Sequence, residues 1–475
     1  MKEKLFALSL SIMLIFSFAA CGNGTSDNSE SSDTEKASNS ATKASEEVTE
    51  PDETVSVSEN TEMDEFLISA SIEETVLYDE NNVIITATDI EYSNYEVTLN
   101  ILIENNSDED LKFISGSAGY SCNSVNGYMC SSGYLYENVS AGMKANEDID
   151  FSITELQLFG INEVADICIA IEIEDDEYNA IYTGPMQVLT TAADTYDYET
   201  DTFLNVVNSG VFETIYECTV DYFTTDVAVN SEDVQILSEG VMTNTDNETL
   251  LWLEVENNTD EVIYAVTSNV FINGLYAYSG TWYSDAIVPG GRSVMTMEFE
   301  YLSVIAYRDT IGIDAIGNVA FTFSVRDEDQ NSLFDGEELS IIISDAVLDT
   351  TGTEIYSDEY VTLVSKGLVE DTYSNSDDIH LLILAKNNTD RDVYLRDEYD
   401  SLSVNGFMTD YSYYGATIPV GAYALLDVEL DYDSLTENDI DSIEDIVEIS
   451  FSTKIYDSDY SAYEEVYIPK LTIEF

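Results

Sequence analysis

The sequence predicts an all-β protein built from three tandem β-sandwich units. Short runs in which apolar and polar residues alternate recur along the chain, and Asn-Asn or Asn-Gly turn signals follow them. Four such landmarks appear three times in the same order, with little helical periodicity between them. Repeated short strands of this kind favour one sandwich per repeat.

The first landmark is an alternating strand that ends in an Asn-Asn turn. The strands are Val97/Leu99/Ile101/Ile103, Leu251/Leu253/Val255 and Ile379/Leu381/Ile383. The turns are Glu104-Asn105-Asn106-Ser107-Asp108, Glu256-Asn257-Asn258-Thr259-Asp260 and Lys386-Asn387-Asn388-Thr389-Asp390. Alternation puts every second side chain on one face, so each run is expected to bury one face of a sheet.

Three further landmarks follow in each repeat. Asn-Gly signals for tight hairpins occur at Val125-Asn126-Gly127, Ile272-Asn273-Gly274 and Val404-Asn405-Gly406. A second alternating run opens at Val139-x-x-Gly142, Val288-x-x-Gly291 and Ile418-x-x-Gly421. The last motif is Ile161-x-x-Val164-x-Asp166-Ile167, Ile313-x-x-Ile316-x-Asn318-Val319 and Ile440-x-x-Ile443-x-Asp445-Ile446.

The spacing of the landmarks sets the bounds of the repeats. Asn106 lies 152 residues before Asn258, but Asn258 lies only 130 residues before Asn388. The second repeat therefore carries extra sequence, which we assign to residues 194–215. We place the first unit at 64–193, the second at 194–345 and the third at 346–475.

At these landmarks the sequence resembles the uncharacterised immunoglobulin-like repeat domains of Gram-positive, chiefly clostridial, surface lipoproteins and membrane proteins. That family typically shows a strand, Asn-Asn-Ser-Asp and then Ser-Val-Asn-Gly-Tyr-Met. Ser124-Val125-Asn126-Gly127-Tyr128-Met129 and Ser403-Val404-Asn405-Gly406-Phe407-Met408 match it, while Phe271-Ile272-Asn273-Gly274-Leu275-Tyr276 departs from it. The resemblance implies extracellular immunoglobulin-like sandwiches, with no activity to carry over.

The N-terminus predicts export and a lipid anchor. Residues 1–20 combine Lys2 and Lys4 with an apolar stretch too short for a comfortable membrane span, as in a secretory signal peptide. Phe18-Ala19-Ala20-Cys21 resembles a bacterial lipobox, although Phe18 replaces the usual Leu or Val. Cys21 would then carry a diacylglycerol and hold the protein on the outer face of the cell membrane. An ordinary cleaved signal and a soluble product is the alternative.

Residues 21–63 are expected to form a disordered acidic tether after the lipidated Cys21. They are rich in Ser, Thr, Glu, Asp and Asn and contain almost no large apolar side chain, so folding could not offset their loss of entropy.

Composition excludes several classes of function. The chain has 95 acidic and 15 basic residues and a formal net charge of −80, which excludes a nucleic-acid binder. Its single histidine, His380, alternates with apolar residues on a predicted strand and is given a structural role. Carboxylate pairs are too abundant for any one pair to indicate an acid and a base. We therefore predict no enzyme, no catalytic residue and no cofactor, with diffuse binding of divalent cations at most.

Cysteine spacing suggests one disulfide. Cys122 and Cys130 flank the first Asn-Gly hairpin, and export would permit a bond between them. Cys168 and Cys218 lie in apolar strands and are interpreted as inert core thiols.

One acidic segment has the spacing of a calcium loop. Its members are Asp327, Asp329, Asn331, Asp335 and Glu338, at positions 1, 3, 5, 9 and 12 of an EF-hand. Ser332 stands where that loop needs glycine, and strands flank the segment instead of helices. We therefore predict no metal site and regard this loop as a weak candidate.

Aromatic residues follow each Asn-Gly turn and are the candidate ligand-binding residues. They are Tyr134 and Tyr136 in the first unit, Tyr276, Tyr278, Trp282 and Tyr283 in the second, and Tyr411, Tyr413 and Tyr414 in the third. Mixed with Ser, Gly and Asn, such residues suit binding to a protein or glycan. The alternative is that they cover sheet faces or unit contacts in a structural stalk with no ligand.

Overall fold

The computed structural model describes residues 67–116, 122–227, 229–245, 249–298, 305–313, 315–327, 330–370, 378–457 and 466–475. Strands make up 55% of the structure and helices 9%, so the predicted all-β class is confirmed. The sheets form sandwich-like arrangements. Leu67–Phe475 packs as one body. None of the helices in these ranges is long and apolar enough to cross a membrane.

The described part of the first unit contains twelve strands and one short helix. They are β1 (Thr75–Glu80), β2 (Val83–Tyr92), β3 (Glu96–Asn105), β4 (Leu111–Ser115), β5 (Ser124–Val125), β6 (Tyr128–Met129), β7 (Leu135–Val139), β8 (Lys144–Ser152), α1 (Ile153–Leu158), β9 (Asp166–Ile169), β10 (Glu172–Asp175), β11 (Ala180–Tyr182) and β12 (Met186–Leu189). One sheet has the order β1-β2-β3-β8, and β11-β10-β4-β7 and β12-β9-β5-β6 complete the unit.

The second unit opens with two helices. Its elements are α2 (Thr202–Ser209), α3 (Val211–Tyr216), β13 (Cys218–Thr224), β14 (Val234–Asn244), β15 (Thr249–Asn257), β16 (Ile263–Ile272), β17 (Leu275–Tyr283), β18 (Arg292–Glu298), α4 (Ile305–Ile311), β19 (Asn318–Asp327) and β20 (Ser332–Ile342). The strands are ordered β18-β15-β14-β13 and β20-β19-β16-β17.

The third unit also has two sheets but opens with a strand. Its elements are β21 (Thr353–Ser357), β22 (Val361–Glu370), β23 (Ile379–Asn387), β24 (Val393–Asp397), β25 (Ser403–Val404), β26 (Phe407–Met408), β27 (Tyr411–Tyr414), β28 (Ala416–Ile418), β29 (Tyr423–Leu430), α5 (Tyr432–Thr436), a 3-10 helix (Ile443–Asp445), β30 (Glu448–Asp457) and β31 (Val466–Glu474). One sheet contains β29-β23-β22-β21, and the other contains β26-β25-β30-β24-β28.

Hydrogen-bonded strand pairs join the units into continuous sheets. β6 of the first unit pairs in parallel with β18 of the second, where Tyr128 faces Arg292. β17 of the second unit pairs in parallel with β29 of the third, where Leu275 faces Tyr423. One sheet therefore runs from β12 to β13 and another from β20 to β21.

The alternating runs form the core, as predicted. Their inward side chains, such as Leu99, Leu253 and Leu381, are fully buried. The largest apolar cluster draws on all three units, since it contains Met129, many residues of the second unit, and Leu382 of the third. The units therefore share a core as well as sheets.

The extra sequence of the second unit folds as the helices α2 and α3. Trp252 lies on β15 and points away from the sandwich interior. The ring centroids of Phe203 and Phe212 lie 6.4 Å and 5.6 Å from the ring centroid of Trp252. Gly240 on β14 leaves the space that the indole fills, because a β-carbon there would collide with it. The helices thus cover a sheet face that the strands alone leave apolar.

Candidate functional site

A buried asparagine anchors the first landmark of each unit. Asn257 Nδ2 donates to the carbonyl oxygens of Glu261 at 2.8 Å and Ile287 at 2.9 Å. Its Oδ1 accepts the backbone N–H of Thr259 at 2.9 Å. The equivalent groups are Glu109, Val139 and Ser107 around Asn105, and Arg391, Ile418 and Thr389 around Asn387. The first Asn of each Asn-Asn pair is therefore a structural clamp.

These bonds correct the alignment of the third landmark in the second unit. Ile287, not Val288, supplies the carbonyl that Val139 and Ile418 supply in the other units. Gly290, with φ of 73°, then takes the place of Gly142 and Gly421. The matching turn is thus one residue earlier than the sequence comparison placed it.

The Asn-Gly hairpins are tied to the last landmark. Asn126 and Gly127 both have positive φ, 50° and 83°, as the predicted tight turn requires. Asn126 Nδ2 donates to the Glu163 carbonyl, and its Oδ1 accepts from the N–H groups of Ala165 and Asp166. Asn273 and Asn405 make the same contacts in the other units.

The last landmark of the third unit contains an insertion. Asn405 contacts Asp445, Val447 and Glu448, which lie three residues beyond the positions that the repeat alignment predicts. The 3-10 helix Ile443–Asp445 accommodates these residues. The first isoleucine of the motif, Ile440, still aligns with its counterparts.

At the first boundary, Tyr128 is enclosed by both units. Its ring stacks on Phe159 at 5.2 Å, and the Arg292 guanidinium lies 5.8 Å from the ring centroid. Burial, followed by the nearby Glu254 carboxylate, raises the pKa of Tyr128 to about 12. Arg292 also pairs with Glu256 at 2.9 Å, and its N–H donates to the Gly127 carbonyl at 2.7 Å.

At the second boundary, Tyr276 stands at the position of Met129 and is likewise enclosed by both units. Its ring lies 5.0 Å from that of Phe271, its hydroxyl donates to Asn269 at 3.0 Å, and it joins the core of the third unit. Tyr423 faces Leu275, and the Lys386 ammonium lies over the Tyr423 ring, 5.4 Å from its centroid. Tyr128 and Tyr276, the first and the second residue after their Asn-Gly turns, thus serve contacts between units.

The structure does not gather all of the predicted ligand-binding aromatics. Tyr134, Tyr136 and Tyr283 are exposed, Trp282, Tyr411 and Tyr413 are partly buried, and Tyr276 is buried. The Tyr411 and Tyr413 hydroxyls contact Asp397 at 2.9 Å and Thr453 at 3.3 Å. The side chains of Tyr278 and Tyr414 lie outside the described part of the chain. Of the predicted set, Tyr134 and Tyr136 remain as exposed neighbours in the first unit.

The outward face of sheet β11-β10-β4-β7 combines Tyr136 with residues that the sequence did not single out. Cross-strand partners form one row of Tyr136, Ile114, Glu172 and Tyr182. The next row is Asn138, Lys112, Glu174 and Ala180. The face carries three exposed tyrosines, Tyr136, Tyr178 and Tyr182. We call these three, with Lys112 and Glu174, the tyrosine face.

An ion pair organises the tyrosine face. Lys112 Nζ lies 3.0 Å from Glu174, 6.0 Å from the centroid of Tyr136 and 5.5 Å from that of Tyr178. A depression of about 240 Å³ beside it is lined by Asn138 and Asp175 as well. The face therefore offers ring surfaces and hydrogen-bonding groups side by side. Tyr178 and Tyr182 were missed because they belong to β10–β11 and not to the segment after the Asn-Gly turn.

A cleft of about 950 Å³ lies beside the first boundary. Tyr196 and Tyr198, whose rings meet edge-to-face at 4.8 Å, line it together with Asp166, Glu256 and Arg292. Because Arg292 already pairs with Glu256 and contacts Tyr128, the cleft keeps an acidic character that disfavours anions.

The predicted disulfide does not form. Cys122 and Cys130 are both buried thiols. The two-residue turn pairs Ser124 with Met129, and the N–H of Cys130 donates to Asn123, so Asn123 lies opposite Cys130. Cys122 is one residue out of register, and adjacent residues of a strand point to opposite faces. Cys168 is buried too, while Cys218 is only partly buried.

The candidate calcium loop is a β-hairpin turn. Asp327 accepts the N–H and the side-chain amide of Asn331, at 2.7 Å and 2.9 Å, so its carboxylate closes the turn. Glu338 pairs with Thr322, roughly 16 Å along the strand from Asp327. Asp329 and the side chain of Asp335 lie outside the described residues. Within the described ranges, no group of three or more His, Cys, Asp or Glu residues is arranged to hold a metal ion.

Two buried ionisable side chains, His380 and Glu254, each contact a polar side chain inside the fold. His380 Nδ1 lies 2.9 Å from Asp427. Glu254, on β15 next to the first boundary, is fully buried and accepts the Ser238 hydroxyl at 2.8 Å. Burial, reinforced by Asp201, raises the pKa of Glu254 well above its usual range. The predicted signal peptide, Cys21 and the predicted tether lie outside the described residues.

Comparisons with known proteins give no family. No family model matches the chain, and no curated protein matches it. Among solved structures it is similar to one reported for host cell surface retention of a bacterial ice-binding adhesin (8% identity, 80% of this chain and 90% of that one, TM-score 0.14). It is also similar to the exo-beta-D-glucosaminidase CsxA (9%, 48% and 26%, 0.16) and to a biofilm-associated protein BSP domain (10%, 87% and 68%, 0.14). At these TM-scores nothing is carried over from them.

Proposed function

We propose that the chain is a lipid-anchored, extracellular, non-enzymatic binding module whose tyrosine face takes a glycan ligand. The observation that supports this most is the cross-strand row that has an exposed tyrosine at each end, Tyr136 and Tyr182, with the buried Ile114 between them. Three strand spacings separate them, or roughly 14 Å. Such a span suits stacking at both ends of a short oligosaccharide, while Lys112 and Glu174 of the neighbouring row bond its hydroxyl groups.

The rest of the molecule serves as the support for this face. Shared sheets and a shared core at both boundaries suit a scaffold that holds the first unit in a fixed orientation. Cys21 would attach this scaffold to the membrane through two acyl chains, which is enough for stable anchoring. Membrane retention of a Cys21→Ser chain would contradict the anchor.

A structural spacer with no ligand is the second candidate. It is favoured by the packing of Tyr276 at the second boundary and by the partial burial of Trp282 and Tyr413. In this case the predicted aromatics stabilise the array and present no binding surface.

Oligosaccharide binding separates the two candidates. Titration calorimetry of the full chain against short neutral oligosaccharides should give saturable binding, and Tyr136→Ala or Tyr182→Ala should weaken it by roughly 2 kcal/mol, about thirtyfold in Kd. Tyr399→Ala is the matched control, because Tyr399 is exposed in the third unit and outside the face. If no saccharide binds, or if all three variants behave alike, the spacer is favoured.

A further inference from the structure

The hairpin of the third unit is exposed where its counterparts are buried. After the Asn-Gly turn, Tyr128 and Met129 are 3% and 2% exposed in the first unit, and Leu275 and Tyr276 are 2% and 9% exposed in the second. In the third unit, Phe407 is 50% exposed and Met408 is 60% exposed. The strand before the turn is paired in the same way in all three units, since β25 pairs with β30 as β5 pairs with β9 and β16 pairs with β19. Among the described residues β26 has a strand, β25, on one side only, and an apolar edge strand of this kind is a site for pairing with another chain.

The matching acceptor lies at the other end of the array. In the second and third units, the strand that follows the glycine turn, β18 or β29, receives the hairpin of the preceding unit. The equivalent strand of the first unit is β8, whose Lys144 pairs with Glu104 as Arg292 pairs with Glu256. β8 pairs with β3 on one side. Among the described residues, no strand lies beside the other edge of β8.

The side chains at this edge already have the arrangement found at the first boundary. Lys144 forms an ion pair with Glu104, just as Arg292 does with Glu256. At the first boundary the cation lies over the ring of Tyr128. On β8, the Lys144 ammonium stands where Arg292 stands on β18, and it could lie over an aromatic ring in the same way. In the third unit, Phe407 is the residue equivalent to Tyr128. Met143, beside the edge, is 60% exposed.

We propose that the third-unit hairpin of one copy pairs with β8 of a second copy, so that chains associate head to tail. The N–H of Lys144 would donate to the carbonyl of Gly406, as that of Arg292 donates to Gly127. Phe407 and Met408 would be covered by the second copy. The partner is a second copy of this chain because the same contact joins the units twice within it.

The contact is small and its affinity modest. The outward side chains of β3 are Thr98, Asn100 and Leu102. The equivalent residues of β15 in the second unit are Leu250, Trp252 and Glu254, on the sheet face that the helices α2 and α3 cover. This mostly polar face limits the new contact to the hairpin and the edge, so we expect weak association, with a Kd on the order of 10 to 1000 µM. Repulsion between chains of net charge −80 opposes association, so added salt should strengthen it.

Sedimentation velocity of the full chain carrying Cys21→Ser, at rising protein concentration and two salt concentrations, tests the proposal. The sedimentation coefficient should rise with concentration, and more so at the higher salt. Phe407→Asp and Lys144→Glu should each weaken self-association at least tenfold. Tyr399→Asp, the same type of change at an exposed site of the third unit, should not. Unchanged thermal unfolding would show that each variant folds.

Mixing the Phe407→Asp and Lys144→Glu chains distinguishes head-to-tail pairing from hairpin-to-hairpin pairing. A Phe407→Asp chain keeps an intact β8, and a Lys144→Glu chain keeps an intact hairpin, so the mixture should recover one contact and form dimers that grow no further. Overturning results are self-association of Lys144→Glu at the original strength, which would indicate hairpin-to-hairpin pairing, or no recovery on mixing. A parent chain that stays monomeric throughout would also overturn it.

Discussion

At the scale of single residues, buried asparagines hold the loops of every unit in register. Both residues of each Asn-Asn pair look equivalent in the sequence, and the repeat alone predicts a turn. Only the structure separates them: Asn257 is buried with three backbone partners, whereas Asn258 is exposed. A repeated motif therefore marked the position, but the local fold decides which side chain acts.

Replacing the clamp should cost far more than replacing its neighbour. Asn257→Ala leaves the Glu261 and Ile287 carbonyls and the Thr259 N–H without their partner, so we expect a loss of about 3 kcal/mol in the free energy of unfolding. Asn258→Ala should change it by less than about 0.5 kcal/mol. Urea unfolding of the two variants measures the difference, and equal losses would contradict the clamp.

Glu254 gives the stability a distinct pH dependence. The raised pKa means that the folded chain keeps this proton at a pH where the unfolded chain, with an ordinary value of 4.5, has released it. Stability is therefore lost as pH rises above that ordinary value. Glu254→Gln should raise the unfolding free energy near pH 8, by on the order of 1 to 3 kcal/mol, and give little gain near pH 4. Glu232→Gln, at an exposed loop, controls for net charge; a gain that is equal at both pH values would contradict the assignment.

At the scale of elements, the alternating strands and Asn-Gly turns could be predicted, because period-two patterns and tight turns are local. The details that depend on contacts between residues distant in sequence could not be predicted. The one-residue shift to Ile287 and Gly290 and the insertion at Ile443–Asp445 become visible through hydrogen bonds made across the sandwich. The pairing of Asn123 with Cys130 likewise follows from the turn length, and the spacing of the cysteines suggested otherwise.

The two tryptophans should report on the helices and strands separately. Trp252 is fully buried beneath α2 and α3, so Trp252→Ala should cost about 3 to 5 kcal/mol of stability. Trp282 on β17 packs against the core while partly exposed, and Trp282→Ala should cost clearly less. Chemical unfolding followed by far-ultraviolet circular dichroism compares them. A larger loss for Trp282 would place the important packing at β17 and not beneath the helices.

At the scale of the whole molecule, the boundaries between units are the feature that the sequence conceals. Repeat spacing predicts three separate sandwiches, whereas the structure has sheets that cross both boundaries and a core drawn from all three units. Tyr276 illustrates why: its position after a turn predicts a ligand-binding residue, and only the neighbouring unit's strand shows that it is enclosed. Tyr136 lies on a sheet face away from these strands and stays exposed.

Differential scanning calorimetry of the full chain tests the fused array most directly. If the units share sheets and core, they should unfold together in one transition whose calorimetric and van 't Hoff enthalpies agree. Independent sandwiches would instead give two or three transitions, or a calorimetric enthalpy well above the van 't Hoff value, and that result would contradict the account.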